Sequence, residues 1–253
     1  MLANSEAVER QKAVVDHRGT AFRSVCRPAL FRVPGFDVDV WTFTRPSCSR
    51  TAALLWPLLN TQERSRAEAF RFAHDQYRFV ITHGALRIIL GHYVDVPPAE
   101  LDFLFSRRGK PALKPTPGLP DIRFNLSHSG SRAMLAIAPK REVGVDIECI
   151  DARHDGMAIA ERFFSLRERE ALWSLPSDER EQGFFSCWTR KEAYLKARGD
   201  GLFTPLQDFD VSVAPGGPVL LVSRIEPGEA DRWHIQELPT EPGYVAALAV
   251  ERT

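Results

Sequence analysis

The order of apolar and polar residues along the chain predicts a mixture of strands and helices. Residues 36–43 largely alternate between the two classes, which is typical of a half-buried strand. Residues 107–120 contain four prolines and two glycines and are predicted to be largely loop. Periodicity further predicts helices over about 48–59, 62–72 and 76–92, and strands over 122–126, 132–138 and 143–148.

Two later helices have clear boundaries in the sequence. Ser165 and Glu168 form a capping box, and the helix that they open must end before Pro176. A second helix is predicted over 180–198, because Gly199 is a typical residue just after a helix end. In the rest of the chain, apolar and polar residues alternate in four segments that are separated by Pro- and Gly-containing turns. This pattern predicts antiparallel strands over 207–213, 218–224, 233–238 and 244–250.

A weak internal repeat predicts that the chain consists of two related halves. Residues 36–40 resemble residues 145–149, and residues 82–91 resemble residues 190–199 about 108 positions later. We therefore expect an α+β fold of two halves related by a pseudo-twofold axis, each a small antiparallel sheet packed with helices. The expected divisions are an N-terminal extension at 1–35, a first half at 36–142 and a second half at 143–253.

Composition and charge exclude several classes of protein. Lys and Arg number 33, as do Asp and Glu, so the net charge gives no general attraction to nucleic acid or to a membrane. The longest apolar run, at 52–59, is far shorter than the ~20 residues of a spanning helix. Residues 1–35 lack the apolar region of a secretory signal, and the four cysteines lack metal-binding spacing. We expect a cytoplasmic protein.

Two acidic residues lie together on one predicted strand. Asp146 and Glu148 are separated by one residue, so their side chains project from the same face. The same pattern at Asp37 and Asp39 shows that it is also typical of an ordinary solvated strand face. Two neighbouring carboxylates repel each other unless a cation or basic groups lie between them.

The helix predicted at 180–198 carries a third acidic residue on its apolar side. Glu192 falls within the arc of apolar residues, and Lys191 and Lys196 lie on either side of that arc. A Glu192–Lys196 pair is also an ordinary helix surface pair, but this does not explain why Glu192 faces the core. Together with Asp146 and Glu148, Glu192 predicts a site for Mg²⁺, with the lysines binding phosphate charge.

Two further segments carry groups that suit a phosphate ligand. Residues 107–111 place three cations around Gly109, a pattern that fits either a phosphate clamp or an exposed basic turn. Residues 124–129 follow an apolar strand with small polar groups and a histidine, and phosphate or ribose contacts are the favoured function there. Because no Gly-x-Ser-x-Gly surrounds Ser127, a hydrolase nucleophile is not favoured.

The motifs, taken in order, resemble those of the Sfp-type 4′-phosphopantetheinyl transferases. The resemblance covers about residues 60–205, and its Trp-x-x-Lys-Glu-Ala form is similar to the family's W/KEA branch. The matching segments are Gly-Lys-Pro at 109–111, Phe-Asn-Leu-Ser-His at 124–128, Gly-Val-Asp-Ile-Glu at 144–148, Arg-Phe-Phe-Ser at 162–165 and Trp-x-x-Lys-Glu-Ala-x-x-Lys at 188–196.

This resemblance implies a function and a role for individual residues. It implies that phosphopantetheine is transferred from coenzyme A to a serine of an apo acyl or peptidyl carrier protein, with Mg²⁺ required and 3′,5′-ADP released. The implied metal ligands are Asp146, Glu148 and Glu192, and the implied catalytic residues are Glu192 and Lys196. The residues expected to contact coenzyme A are Arg66, Arg78, Arg108, Lys110, Asn125, Ser127, His128, Lys191 and Lys196.

Two other functions stay open at the level of the sequence. A non-catalytic module that binds coenzyme A or another phospholigand would not need both Glu192 and Lys196. A Mg²⁺-dependent nuclease usually carries Glu-x-Lys on a strand, whereas residues 191–192 lie in a helical pattern, and the neutral charge gives no nucleic-acid footprint. Two fused halves would make a monomer sufficient, and we expect no nucleic-acid or membrane partner.

Overall fold

The computed structural model of the chain describes residues 26–151, 155–199, 204–216, 219 and 221–252. The chain forms two compact units from interleaved segments. The first unit extends to Leu104 and includes Pro111–Ile122 and Ser131–Pro139. The second unit comprises Phe105–Lys110, Arg123–Gly130 and the chain from Lys140 onward. Through these described ranges, no helix is both long and apolar enough to cross a membrane.

Strands and helices occur in successive runs along the described chain. The strands are β1 (Ala29–Arg32), β2 (Asp39–Thr44), β3 (Phe103–Phe105), β4 (Pro111–Leu113), β5 (Ile122–Ser129), β6 (Arg132–Pro139), β7 (Val143–Cys149), β8 (Phe209–Val211), β9 (Leu221–Ser223), β10 (Trp233–Glu237) and β11 (Tyr244–Glu251). The α-helices are α1 (Ser49–Leu55), α2 (Thr61–Glu68), α3 (Ala73–Val94), α4 (Gly156–Phe163), α5 (Leu166–Ser174), α6 (Arg180–Arg198) and α7 (Glu229–Arg232).

The first unit is built on antiparallel strands and the long helix α3. Strand β2 pairs with β1 on one side and with β6 on the other, and Trp41 at its centre is fully buried. The indole of Trp41 donates a hydrogen bond to the hydroxyl of Tyr93 at 3.0 Å, and Tyr93 donates to Asp39 at 2.5 Å. Because Tyr93 lies near the end of α3, these bonds fix the helix against the sheet.

The second unit packs helix α6 against an antiparallel sheet of order β10-β11-β7. Gly144 on β7 makes this packing close. A Cβ at position 144 would overlap the carbonyl oxygen of Ala193 and the amide nitrogen of Ala197. The helix and the strand therefore meet backbone to backbone, and this contact brings the C-terminal half of α6 beside Asp146.

The predicted α+β class is confirmed, and the predicted boundaries of α5 and α6 agree with the structure, whereas the helix predicted over 62–72 ends at Glu68. The Ser165 side chain accepts a hydrogen bond from the Glu168 amide at the start of α5, and the Glu168 carboxylate accepts from the Ser165 amide. Gly199 ends α6 with a positive φ of 74°, a conformation that glycine adopts without strain. The pseudo-twofold relation and the division at residues 142 and 143 stay predictions.

Several segments differ from the sequence prediction, including β3 and α7, which were not predicted. Strand β4 lies within the predicted loop at 107–120, since a pairing with β3 gives the Pro-rich segment a short extended structure. Helix α4 was not predicted, because its eight residues are too few for a clear period. Strand β1 lies inside the predicted extension at 1–35, of which residues 1–25 are outside the described chain. The predicted strand at 218–224 is described only in part.

Candidate functional site

An ion pair between α6 and β7 forms the centre of the candidate site. The ammonium group of Lys196 donates to Asp146 Oδ1 at 2.6 Å and to the hydroxyl of Ser127 at 3.0 Å. Ser127 in turn donates to the same Asp146 oxygen at 2.7 Å. Asp146 is only 2% exposed, whereas Lys196 is half-buried. The structure therefore brings together three of the predicted site residues, from β5, β7 and α6.

Glu192 lies half-buried one helical turn before Lys196. Burial, together with the negative charges of Asp146 and Glu148, raises the pKa of Glu192 to about 7, although Lys196 opposes the shift. Burial likewise raises the pKa of Asp146, against the effects of Lys196 and Ser127. Asp146 and Glu148 thus lie close enough to Glu192 to affect its ionisation. A carboxylate with a pKa near neutrality is also suited to accept a proton.

Glu148 is held by a residue that the sequence analysis did not single out. The hydroxyl of Ser129 donates to Glu148 Oε2 at 2.7 Å and accepts a hydrogen bond from the Cys149 amide at 3.1 Å. The available signal was the spacing of Asn125, Ser127 and Ser129 at alternate positions of a strand, which places them on one face. Asp146 and Glu148 follow the same spacing on β7.

The acidic residues offer one buried oxygen atom that suits Mg²⁺. Within the part of the chain that the structure describes, no three His, Cys, Asp or Glu side chains are grouped closely enough to hold a metal ion as they stand. The ammonium group of Lys196 instead neutralises Asp146. However, Asp146 Oδ2 is buried and has no hydrogen-bond partner among the described residues. A buried, unpaired carboxylate oxygen beside two further carboxylates fits a hard cation, which prefers oxygen ligands.

Lys191 lies elsewhere than the sequence analysis expected. Its side chain is 0% exposed, and its ammonium group pairs with Glu168 at 2.7 Å. It also donates to the carbonyl groups of Leu206 and Phe209, each at 2.7 Å. The predicted contact with coenzyme A is not supported by this placement. Helix α6 is covered on several sides, so that two of its cationic residues, Arg190 and Lys191, are fully buried.

Lys110 projects from the 105–110 segment onto the end of α6. Its ammonium group donates to Glu142 at 2.7 Å and to the carbonyl oxygen of Ala197 at 2.9 Å. Cations are favourable at this end of a helix because the last carbonyl groups are otherwise unpaired. Gly109, with a φ of 83°, makes the turn that precedes Lys110, and Arg108 in the same turn is exposed.

The remaining predicted contacts of coenzyme A lie in three places. Asn125 is buried, and its side-chain oxygen accepts a hydrogen bond from the Val145 amide at 2.9 Å, so it contacts the backbone of β7. His128 is exposed near the end of β5. Arg66 and Arg78 belong to the first unit, where the Arg66 guanidinium lies 5.4 Å from the centre of the Phe79 ring. Their roles, like those of the other site residues, stay predictions.

Comparisons with known proteins agree with the motifs. Residues 142–249 match the 4′-phosphopantetheinyl transferase superfamily, and residues 41–140 match the N-terminal family of 4′-phosphopantetheinyl transferases. The chain is 38% identical over 214 residues to the 4′-phosphopantetheinyl transferase HetI of Nostoc sp. (strain PCC 7120), a match that covers 85% of this chain and 87% of that protein.

The chain is also similar to two further proteins. The chain is 28% identical over 204 residues to the 4′-phosphopantetheinyl transferase Sfp of Bacillus subtilis, covering 81% of this chain and 87% of that protein. Among solved structures, it is similar to the holo-[acyl-carrier-protein] synthase AcpS of Thermotoga maritima, with a TM-score of 0.36 and 22% identity over 44% of this chain and 62% of that chain. The predicted family and enzyme class are confirmed by the sequence matches, and the chain belongs to the 4′-phosphopantetheinyl transferases.

Proposed function

We propose that this protein transfers the 4′-phosphopantetheine group of coenzyme A to a serine of an apo acyl or peptidyl carrier protein. The observation that supports this most directly is the Lys196–Asp146 ion pair at 2.6 Å beside Glu192, in a chain of this family. In this site, Glu192 can accept a proton, Lys196 can neutralise phosphate charge, and the acidic residues suit a metal ion. We also propose that the protein acts as a monomer in the cytoplasm, without nucleic-acid or membrane partners.

In the proposed reaction, Glu192 and Lys196 act on opposite sides of the transferred phosphorus. Glu192 accepts the proton of the carrier serine, directly or through water, as the serine oxygen forms a bond to the phosphorus that carries pantetheine. The bond from that phosphorus to the bridging oxygen of the diphosphate breaks, and 3′,5′-ADP leaves with the bonding electrons. The ammonium group of Lys196 neutralises the charge on the departing phosphate.

Asp146, Glu148 and Glu192 are the residues that would hold Mg²⁺. The unpartnered Oδ2 of Asp146 is the atom most suited to the first contact. When bound, Mg²⁺ supplies positive charge that stabilises the diphosphate as it gains charge. Lys196 would then share Asp146 with the metal or turn toward the phosphate, and its partly exposed side chain leaves room for such a movement.

The two alternative functions are less well supported. Residues 191–192 lie in α6, whereas the usual nuclease Glu-x-Lys lies on a strand. A module that only binds coenzyme A would not require a half-buried Glu192 beside the Lys196 ion pair. Incubation of the protein with coenzyme A, Mg²⁺ and an apo carrier protein, followed by mass spectrometry of the carrier, tests all three functions. We expect a mass gain of one phosphopantetheine; no gain with any class of carrier would contradict the proposal.

Lys110 provides a test of coenzyme A binding. Lys110→Ala removes a cation that we propose lies on the 3′-phosphate side of coenzyme A, and it also removes the partner of Glu142 and of the Ala197 carbonyl group. We therefore expect a higher KM for coenzyme A, little change in kcat and a slightly lower melting temperature. Steady-state kinetics and thermal unfolding measure these effects. A lower kcat with an unchanged KM would contradict the assignment of Lys110.

A further inference from the structure

Alternate side chains of β5 bind the backbone of β7 along its length. Among the strands that the structure describes, β7 is at one end of its sheet, so one of its edges has no strand of that sheet beside it. Three side-chain oxygens take the place of a neighbouring strand at this edge. Asn125 Oδ1, Ser127 Oγ and Ser129 Oγ accept hydrogen bonds from the amides of Val145, Ile147 and Cys149, at 2.9, 3.5 and 3.1 Å.

The two serines also bind the carboxylates of the candidate site. Ser127 donates its hydroxyl proton to Asp146, and Ser129 donates to Glu148, each at 2.7 Å. Each hydroxyl thus binds a carboxylate and, at the same time, the amide of the next residue. Alternate side chains of a strand project from the same face. Ser127 and Ser129 therefore make the same pair of contacts at two successive positions along β7. Such a contact restricts the rotation of a carboxylate relative to its own backbone.

We infer that Ser129 is a positioning residue, which orients Glu148 toward the site as Ser127 orients Asp146. Asn125 makes the corresponding contact with the backbone of β7 at Val145, where the preceding residue, Gly144, carries no carboxylate. The inference rests on the proposed function, because it takes Glu148 to be a metal ligand. It assigns Ser129 no contact with coenzyme A or with the carrier serine.

The hydrogen bond from Ser129 to Glu148 should affect mainly the affinity of the site for a cation. A carboxylate that is free to rotate loses conformational freedom on binding a metal, whereas a carboxylate already held by a neighbour loses less. Loss of a hydrogen bond to a metal ligand typically lowers metal affinity about 10- to 100-fold. Ser129 should therefore affect the Mg²⁺ dependence of the enzyme more than its maximal rate.

The test compares the full-length wild-type protein with Ser129→Ala, Ser129→Thr and the control Ser174→Ala. Ser174 is exposed and donates only to a carbonyl group within α5. Calorimetric titration with Mg²⁺ gives the dissociation constant, and transfer assays give the half-saturating Mg²⁺ concentration and kcat. We expect Ser129→Ala to raise both Mg²⁺ values about 10-fold or more, with a smaller change of kcat at saturating Mg²⁺. Ser129→Thr should restore them, and Ser174→Ala should resemble wild type.

The outcomes separate this inference from the proposed function. If Ser129→Ala has wild-type Mg²⁺ affinity and merely unfolds at lower temperature, Ser129 has only a structural role and the inference is wrong, while the transferase activity stands. If Ser129→Thr does not restore Mg²⁺ affinity, the hydroxyl is not the cause and the inference is equally wrong. Transfer by wild type without Mg²⁺ would overturn the ligand assignment and this inference together.

Discussion

Glu192→Gln is expected to abolish phosphopantetheine transfer while leaving the protein folded. Glutamine keeps the size of the side chain but cannot accept the serine proton, and it is a poorer ligand for Mg²⁺. Loss of a general base alone typically lowers the rate about 100- to 10,000-fold. The measurement is the rate at which holo carrier protein appears, followed by mass spectrometry at saturating coenzyme A and Mg²⁺.

The thermal stability of Glu192→Gln should not fall with its activity. The pKa of Glu192 is raised from 4.5 to about 7, chiefly by burial, so ionisation of this group removes stability as the pH rises through that interval. Glutamine does not ionise, and we therefore expect the melting temperature of the variant at pH 8 to equal or exceed that of wild type. Glu181→Gln, an exposed change of the same kind in the first turn of α6, is the matched control. Near-wild-type transfer by Glu192→Gln would refute both proposed roles of Glu192.

Lys196→Ala is expected to cause the second large loss. Removal of its ammonium group takes one cation away from the departing 3′,5′-ADP, and loss of one such electrostatic contact typically lowers kcat about 100- to 1,000-fold. Rates should be measured at saturating coenzyme A and Mg²⁺, so that weaker binding does not conceal the effect on kcat. Unchanged kcat would remove Lys196 from the proposed reaction.

The same substitution removes a partner of buried Asp146. Asp146 would keep the Ser127 contact at Oδ1 but lose its cationic partner, and a buried carboxylate without a cationic partner is destabilising. We therefore expect a lower melting temperature, which added Mg²⁺ should partly restore. Lys114→Ala removes an exposed lysine that pairs with exposed Asp102, and it serves as the control because such surface pairs contribute little. A variant with normal stability and no turnover would still support the role of Lys196 in the reaction.

The sequence predicted most of the elements that carry the candidate site. The capping box at Ser165 and the glycine at 199 fixed the ends of α5 and α6, because these are local signals that depend on a few neighbouring residues. The sequence predicted that Asp146 and Lys196 belong to one site, but not that they form an ion pair, since they are 50 positions apart in the chain. Periodicity alone does not reveal which strand lies beside which helix.

The burial of Lys191 and the contacts of Ser129 were not predicted, for a common physical reason. A helical wheel assumes one buried face, but α6 is enclosed so fully that Lys191 binds Glu168 in the interior. The role of Ser129 depends on the register between β5 and β7, which a single strand does not specify. Both residues make contacts that arise from tertiary packing, and neither contact has a local sequence signal.

Gly144 has a consequence for how this enzyme can change over evolutionary time. Because α6 and β7 touch through their main chains, the distance between Glu192 and Asp146 does not depend on the size of an intervening side chain. Main-chain positions shift less than side chains when a protein interior accumulates substitutions. Sequence drift elsewhere can therefore alter the outer surface, where new carrier proteins would be selected, while the reacting groups keep their spacing.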